Sequence, residues 1–535
     1  MKKLFTIFLF AAISASLSGQ TTQKIVINKP LQEFPDVYDL STPLNAGITI
    51  LYIGVNGIDS RWRDVSSFAN SSRHRKENLP NRTVSEESKM KLLNQLIEEI
   101  IVYKDSIACM ITKRDSSDYS IRWLYYENSE WLNRGEDGRS TLEEAQELFN
   151  TYASESLDEL RRSNIVKNVS TDTLAFVNYV KQSGVEPKEF LFNVLAKHPL
   201  VIYGEIHRRN ASWNLLSTLL TDPRFPETVG TVFVEMPAYQ QNEFDRFYAS
   251  KELNTEILLN IMRTVQTVGW LDRGQYDFLI NVWKLNQTLP ENKKIRVVPT
   301  DEQPPWKFLQ TREDYDKWEE KSLDRNTKMA DVIEHTLKTK TDKRNCLFIT
   351  GYGHAYKSHI PGSYSSAPEQ EPALSAGAQL VQRLSEKNVF VVLQHVPMGT
   401  NFGYLGLVRQ GLFDAAFEKA GNKPVAFPLT NSPFGAEPFD ADFYDSFDHG
   451  VGNYADNFDG YIFLKPLKDE DEDCMLYEIY SDEFINEFKR RVAIFNQDPS
   501  RRMGVEGELT KEKLINPFKE KCESEKVKRW SYLFE

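Results

Sequence analysis

The chain has 535 residues and a formal charge of −12. That length supplies ample core for two to four domains, and the acidic balance excludes a nucleic-acid partner, whose phosphates demand clustered Lys and Arg. Its four cysteines, Cys109, Cys346, Cys474 and Cys522, show neither metal-ligand spacing nor a dense disulfide framework; one or two bridges would suit an oxidising compartment, but the sequence does not pair them.

The basic start Met1-Lys2-Lys3, the apolar run Leu4 to Ile13 and the small residues Ser14 to Gly19 follow the order of a secretory signal peptide over residues 1–19. That apolar run is too short to span a bilayer and no later stretch is long enough, so no membrane span is expected. Gln20, not cysteine, follows Leu17-Ser18-Gly19. The expectation is a periplasmic or extracellular protein, cut near Gly19/Gln20, and not a lipoprotein.

Ser41-Thr42-Pro43 predicts a helix start, and Asn56-Gly57 its stop. A second helix is expected from Ser85-Glu86-Glu87, carrying Leu92, Leu93, Leu96, Ile97 and Ile100. The stretches Ser106 to Thr112 and Tyr119 to Tyr126 then read as a β-hairpin. Residues 30–165 thus read as a small α+β module, distantly similar to a cone-shaped nuclear-transport-factor-like domain. It carries no evident chemistry, and its expected role is support or binding of a protein partner.

From about residue 170 helices and short apolar strands alternate. Helical stretches Leu174–Lys181 and Glu189–Lys197 lead to Pro199–Tyr203; later strand candidates are Val229–Val234, Ile295–Pro299, Cys346–Thr350 and Val389–Leu393. These runs are β-branched and nearly all apolar, as strands buried on both faces must be. Amphipathic helices separate them, one with Phe278, Leu279, Val282 and Trp283, another with Met329, Ile333 and Leu337. The pattern predicts an α/β fold over 170–470, a largely parallel sheet covered by helices, preceded by the small α+β domain. Residues 471–535 read as a C-terminal helical extension packed on it, and the charge run Lys468 to Asp473 as a surface loop.

The polar residues sit at strand ends. Gly204-Glu205-Ile206-His207 follows Tyr203, Glu235 follows Val234, Asp301 follows Thr300, and Gly351-Tyr352-Gly353-His354 follows Thr350. Parallel strands open their C-termini on one edge, where ligands bind, so these loops should converge on one cleft. Each residue alone has a structural reading: His207 as a hydrogen-bonded core histidine, Glu235 at a helix N-terminus, Asp301 as a turn cap. Their joint placement favours function. His359 is a weaker candidate. His198 precedes its strand and should lie at the opposite edge, and His395 carries no further signal. Arg325 stands in register with Met329 and Ile333, so its guanidinium needs an anion on the buried face: Glu205, Glu235 or a substrate oxygen.

These segments, in this order, resemble the erythromycin-esterase-like family and its wider relatives, the ChaN haem-iron-binding lipoproteins and the Tiki metalloproteases. Gly204-Glu205-Ile206-His207 looks like the family's Gly-Glu-x-His opening; Trp270 with Phe278-Leu279-Ile280, Trp283 and Asn286 resembles a later segment. Thr300-Asp301-Glu302-Gln303 is similar to its Gly-x-Asp-x-Gln, Asp324 to Ala330 to its Arg-Asp-x-x-Met-Ala with Asn326 in place of aspartate, and Gly353-His354 to its late Gly-His. Ile206 stands where the esterases commonly have serine, and Arg208 where they usually have glycine.

The resemblance implies an EreA/ChaN-like fold over about 190–465 and a small-molecule substrate. Two mechanisms fit. In one, neutral His207 takes a proton from water, Glu205 or Glu235 steadies the ring, and His354 with Arg325 polarises an ester, lactone or amide carbonyl, Asp301 and Trp270 helping to bind substrate. In the other, Glu205, His207 and His354, with Glu235 as a further ligand, hold a divalent metal (Mn, Zn or Co), as the Tiki resemblance implies. The ChaN resemblance implies instead a haem or iron carrier, with Tyr352, Tyr356 and His359 as candidate ligands. Asp456 and Asp459 are minor candidates for the cleft wall.

Overall fold

A computed structural model describes residues 22–535 apart from 63, 68–80, 116–117, 128, 167–171, 358–373, 400–404, 440–451, 472, 506, 524–527, 531–532 and 534–535. The expected leader and His359 lie outside the described residues. The chain forms two compact units, Met1–Ser163 and Asn164–Glu535.

In the first unit, helix α1 (Pro43–Asn56) follows its caps: Thr42 Oγ1 accepts from Asn45 N at 3.2 Å, and Gly57 ends the helix at φ 65°. Five antiparallel strands pair in chain order: β1 (Thr22–Pro30), β2 (Leu96–Tyr103), β3 (Ile107–Asp115), β4 (Asp118–Glu127) and β5 (Glu130–Arg139). The expected hairpin is therefore the middle of a five-stranded sheet. The expected second helix also ends early: α2 spans only Glu86–Leu93, and Leu96–Tyr103 is β2. Ile97, Ile100 and Val102 pack in the core beneath α1, where β-branched side chains suit a strand better than a helical turn. Helix α3 (Leu142–Val166) follows β5.

The second unit holds a seven-stranded sheet of order β11-β12-β10-β6-β9-β7-β8. The strands are β6 (Leu200–Glu205), β7 (Val229–Pro237), β8 (Arg296–Asp301), β9 (Asn345–Gly351), β10 (Val389–Gln394), β11 (Val425–Pro428) and β12 (Gly460–Phe463). All run parallel except β11. Alternate residues of each inner strand enter two separate apolar layers. Val201, Tyr203, Val232 and Leu347 meet helices α4 (Asn210–Leu220) and α5 (Arg273–Thr288). Leu200, Ile202, Phe233 and Phe348 meet α6 (Arg325–Thr339) and α7 (Ala376–Leu384). Both faces are dry, which is why the sequence shows apolar runs without polar alternation.

Two strands escape the sequence reading. β11 and β12 have four residues each, and β12 starts at a glycine because a Cβ there would lie 2.7 Å from the Phe190 ring. Asp459 precedes β12 at its N-terminal end, where it accepts from Val391 N and pairs with Lys357; Asp456 caps the Asn453 turn.

Helices α8 (Asp482–Ile494) and α9 (Lys511–Glu523) add Phe484, Phe488, Leu514 and Ile515 to the first apolar layer. A disulfide joins Cys474 to Cys522, while Cys109 and Cys346 are buried thiols. The charge run read as a surface loop turns inward in part. Arg209 is only 1% exposed, so it needs a buried counter-charge, and Glu470 supplies it through a bidentate pair. Among the described residues no helix is long and apolar enough to cross a membrane.

Candidate active site

Because β6 to β9 run parallel, their C-terminal ends share one edge. Glu205 ends β6 and His207 lies two residues beyond; Glu235 lies in the last turn of β7, Asp301 ends β8, and His354 sits in the one-turn helix Tyr352–Ala355 after β9. Arg325 is the first residue of α6, set there by its N-cap Asp324, which accepts from Thr327 N at 3.0 Å.

Glu235 is the hub. One oxygen, Oε2, accepts from Thr350 Oγ1 at 2.8 Å and Gly351 N at 2.9 Å; the other, Oε1, accepts from Arg325 Nη2 at 2.7 Å. Both imidazoles approach that same Oε1, His354 Nε2 at 3.5 Å and His207 Nε2 at 3.9 Å. The structure therefore brings together His207, Glu235, His354 and Arg325 from loops far apart in the chain. Glu205 joins them by accepting from His207 Nδ1 at 2.6 Å.

The two rings differ in charge. Burial alone would depress His207, but the carboxylates of Glu205, Glu235 and Asp272 outweigh it and push the ring up to about 9. Burial, with no partner for Oε2, pushes the Glu205 carboxyl up as well. The pair holds one proton between them, and it belongs on the ring: His207 keeps 35% of its side-chain surface open and faces a second carboxylate. The neutral His207 expected from the sequence is thus corrected to an imidazolium. His354 goes the other way. Burial, helped by Arg325 and His207, lowers it despite Glu235. Its tautomer is set by Asn326, whose Oδ1 accepts Ala376 N at 3.0 Å and so must accept from His354 Nδ1 at 2.7 Å. The Nε2 lone pair then faces the cleft. Glu235 itself is held well below the usual carboxylate range: burial opposes ionisation, but the charges of His207 and Arg325 and the Gly351 amide outweigh it.

Asp301 and Trp270 are placed at the site but not as open ligand-binding groups. Asp301 is 1% exposed and spends both oxygens on Arg325, at 2.9 and 2.8 Å, with Gln303 at 2.6 Å. Its role is to orient the guanidinium. Trp270 lays its ring edge-on to His207, centroids 4.8 Å apart, with Nε1 tied to Gln275. Gly351 allows the approach from the other side, since a Cβ there would lie 3.0 Å from the His207 ring. His198 and His395 are structural, the latter fully buried between Tyr461 and Asp414.

Sequence reasoning missed two supports, Asp272 and Arg529, and the backbone conformation of Arg208. Asp272 caps α5 and also accepts the Arg208 amide at 2.7 Å, fixing the turn after His207; the Asp-x-x-Gln cap was its only signal. Arg208 adopts φ 60°, a left-handed conformation that glycine takes without strain. Arg529, near the C-terminus, donates to the carbonyls of His207 (3.0 Å) and Arg208, and nothing local announces it.

A divalent metal on Glu205, His207 and His354 does not fit these side chains. Among the described residues no three His, Cys, Asp or Glu side chains are grouped to hold an ion. Glu205 meets His207 at Nδ1, not on the Nε2 side where both rings approach Glu235, and the Glu235 oxygen that faces the two Nε2 atoms is held by the fixed charge of Arg325. Of the candidate haem ligands, Tyr352 and Tyr356 are buried, Tyr356 between Phe439 and Phe458, and His359 lies outside the described residues.

No protein-family model matches the chain, and no curated protein matches it in sequence. Solved structures do show similarity. A succinoglycan biosynthesis protein is 11% identical, with a TM-score of 0.41, over 56% of this chain and 98% of its own. A mutant of the erythromycin esterase EreC in its open conformation is 12% identical, with a TM-score of 0.36, over 51% of this chain and 92% of its own. Haem-bound ChaN of Campylobacter jejuni is 15% identical, with a TM-score of 0.26, over 39% and 86%. Two of the families whose motifs the sequence resembles, the erythromycin esterases and ChaN, thus occur among the chain's structural neighbours.

Proposed function

We propose that the protein is an exported hydrolase that activates water against an ester, lactone or amide carbonyl. The observation that carries this reading is a pair of imidazoles flanking one carboxylate oxygen with their proton affinities driven apart, the arrangement that separates an acid from a base at neutral pH. Neutral His354 is the base, reversing the roles expected from the sequence. Its Nε2 takes a proton from water while the water oxygen bonds to the carbonyl carbon. The charge that develops on the carbonyl oxygen is met by His207 Nε2–H and by Arg325 Nη1, which makes no hydrogen bond among the described residues. Collapse expels the alkoxide or amine, which leaves with the proton from His354. Export is supported by the basic-apolar-small start and by the Cys474–Cys522 bridge, since such bonds persist in oxidising compartments.

The test is a panel of aryl esters, aliphatic lactones and anilides assayed with mature protein. Expected are turnover on at least one class, a loss of about 10²- to 10⁴-fold in His354→Asn, and no change on adding a chelator. A panel showing no His354-dependent rate would overturn the reading.

A further inference from the structure

We propose that a second cavity, of about 770 Å3 and sharing no residue with the His207–His354 cluster, is a binding site for a small anionic molecule that carries an aromatic ring. It opens among the loops after β7 and β8 and the start of α8, and its size falls in the range of small-molecule sites. Five cationic side chains and three carboxylates line it, an excess of positive charge in a protein that is strongly acidic overall.

Its deeper arginines are already engaged. Arg263 is held by Glu256, Asn260 and the Ile479 carbonyl; Arg490 by Glu487 and the Leu309 and Trp306 carbonyls; Arg491 by Glu487 and the Arg263 carbonyl, over the Trp306 ring. These fix the wall and its positive field. What remains open is at the rim. Phe308 is 73% exposed and Tyr239 45%, an expense of apolar surface that folding does not require. Lys307, beside Phe308, is exposed and has no carboxylate partner among the described residues. A ring laid on Phe308 and Tyr239 would place its carboxylate, sulfonate or phosphate beside that ammonium. A neutral ring would gain the stacking alone, and a cation would meet the excess positive charge.

The inference stands apart from hydrolysis, so it is tested by binding. Titration calorimetry of the full mature protein would use naphthalene-2-carboxylate and its neutral carboxamide. Expected is saturable binding of the carboxylate, at least about tenfold tighter than the amide, weakened by salt, and weakened about tenfold in both Lys307→Glu and Phe308→Ser. Both positions are exposed, so unchanged melting curves should show that the variants fold. His207→Gln should bind the probe as the wild type does. No saturable heat at millimolar probe, equal affinity for the amide, or unchanged binding in both variants would each overturn the proposal.

Discussion

Replacing Glu235 with Gln keeps the shape of the hub and removes its charge. The amide oxygen can still accept from Thr350 and Gly351 at the Oε2 position, which leaves an NH2 group at Oε1 facing Arg325 Nη2 across 2.7 Å, donor against donor. Removing one partner of a buried pair costs about 3–5 kcal/mol. The lower end is the ceiling here, because the Arg325 side chain is 39% exposed and Asp301 keeps the guanidinium paired through two hydrogen bonds. A loss of up to about 3 kcal/mol, spread over the unfolding entropy of a unit as long as Asn164–Glu535, lowers its Tm by up to about 4 °C. Calorimetry reads this directly, and a double-mutant cycle isolates the pair: Glu235→Gln with Arg325→Met should be at least about 1 kcal/mol more stable than the two single losses added. A Glu235→Gln protein melting with the wild type, or strict additivity in the cycle, would refute the hub.

Further expectations follow from the same geometry. Because the folded-state value of His207 is raised to about 9, its contribution to stability is complete below its ordinary 6.5 and is lost as pH rises through 9; with the ring 35% open to water, we expect only about 1 kcal/mol, read as a fall in Tm over that window that Glu205→Gln makes smaller, Glu235 and Asp272 remaining. Turnover should plateau between the depressed value of His354 and about 9, and Asn326→Asp should move the acid limb upward by adding a charge to His354 Nδ1, checked by a pH–rate profile. Gly351→Ala should cost turnover about 10- to 100-fold with little change in Tm, as its methyl displaces the His207 ring by a few tenths of an ångström. Serine at both Cys474 and Cys522 frees a loop 48 residues long, about 4 kcal/mol by loop-closure entropy; the refolded variant should also turn over more slowly, since the bridge anchors the segment whose Arg529 braces the His207 carbonyl.

The α/β alternation and the clustering of Glu205, His207, Glu235, Asp301, Arg325 and His354 were legible in the residues themselves. Strands dry on both faces must be apolar throughout, and polar residues that interrupt them stand out at their ends. Short edge strands such as Gly460–Phe463 carry too little pattern to be seen. Leu96–Tyr103 was misread because apolar residues at helical spacing there are also β-branched, and packing against α1 decided between the two. Which imidazole bears the proton was decided only by the tertiary structure. Protonation depends on distances to carboxylates and on depth from water, and those come from Asp272, Asn326 and Glu235, which reach the two rings from separate parts of the chain.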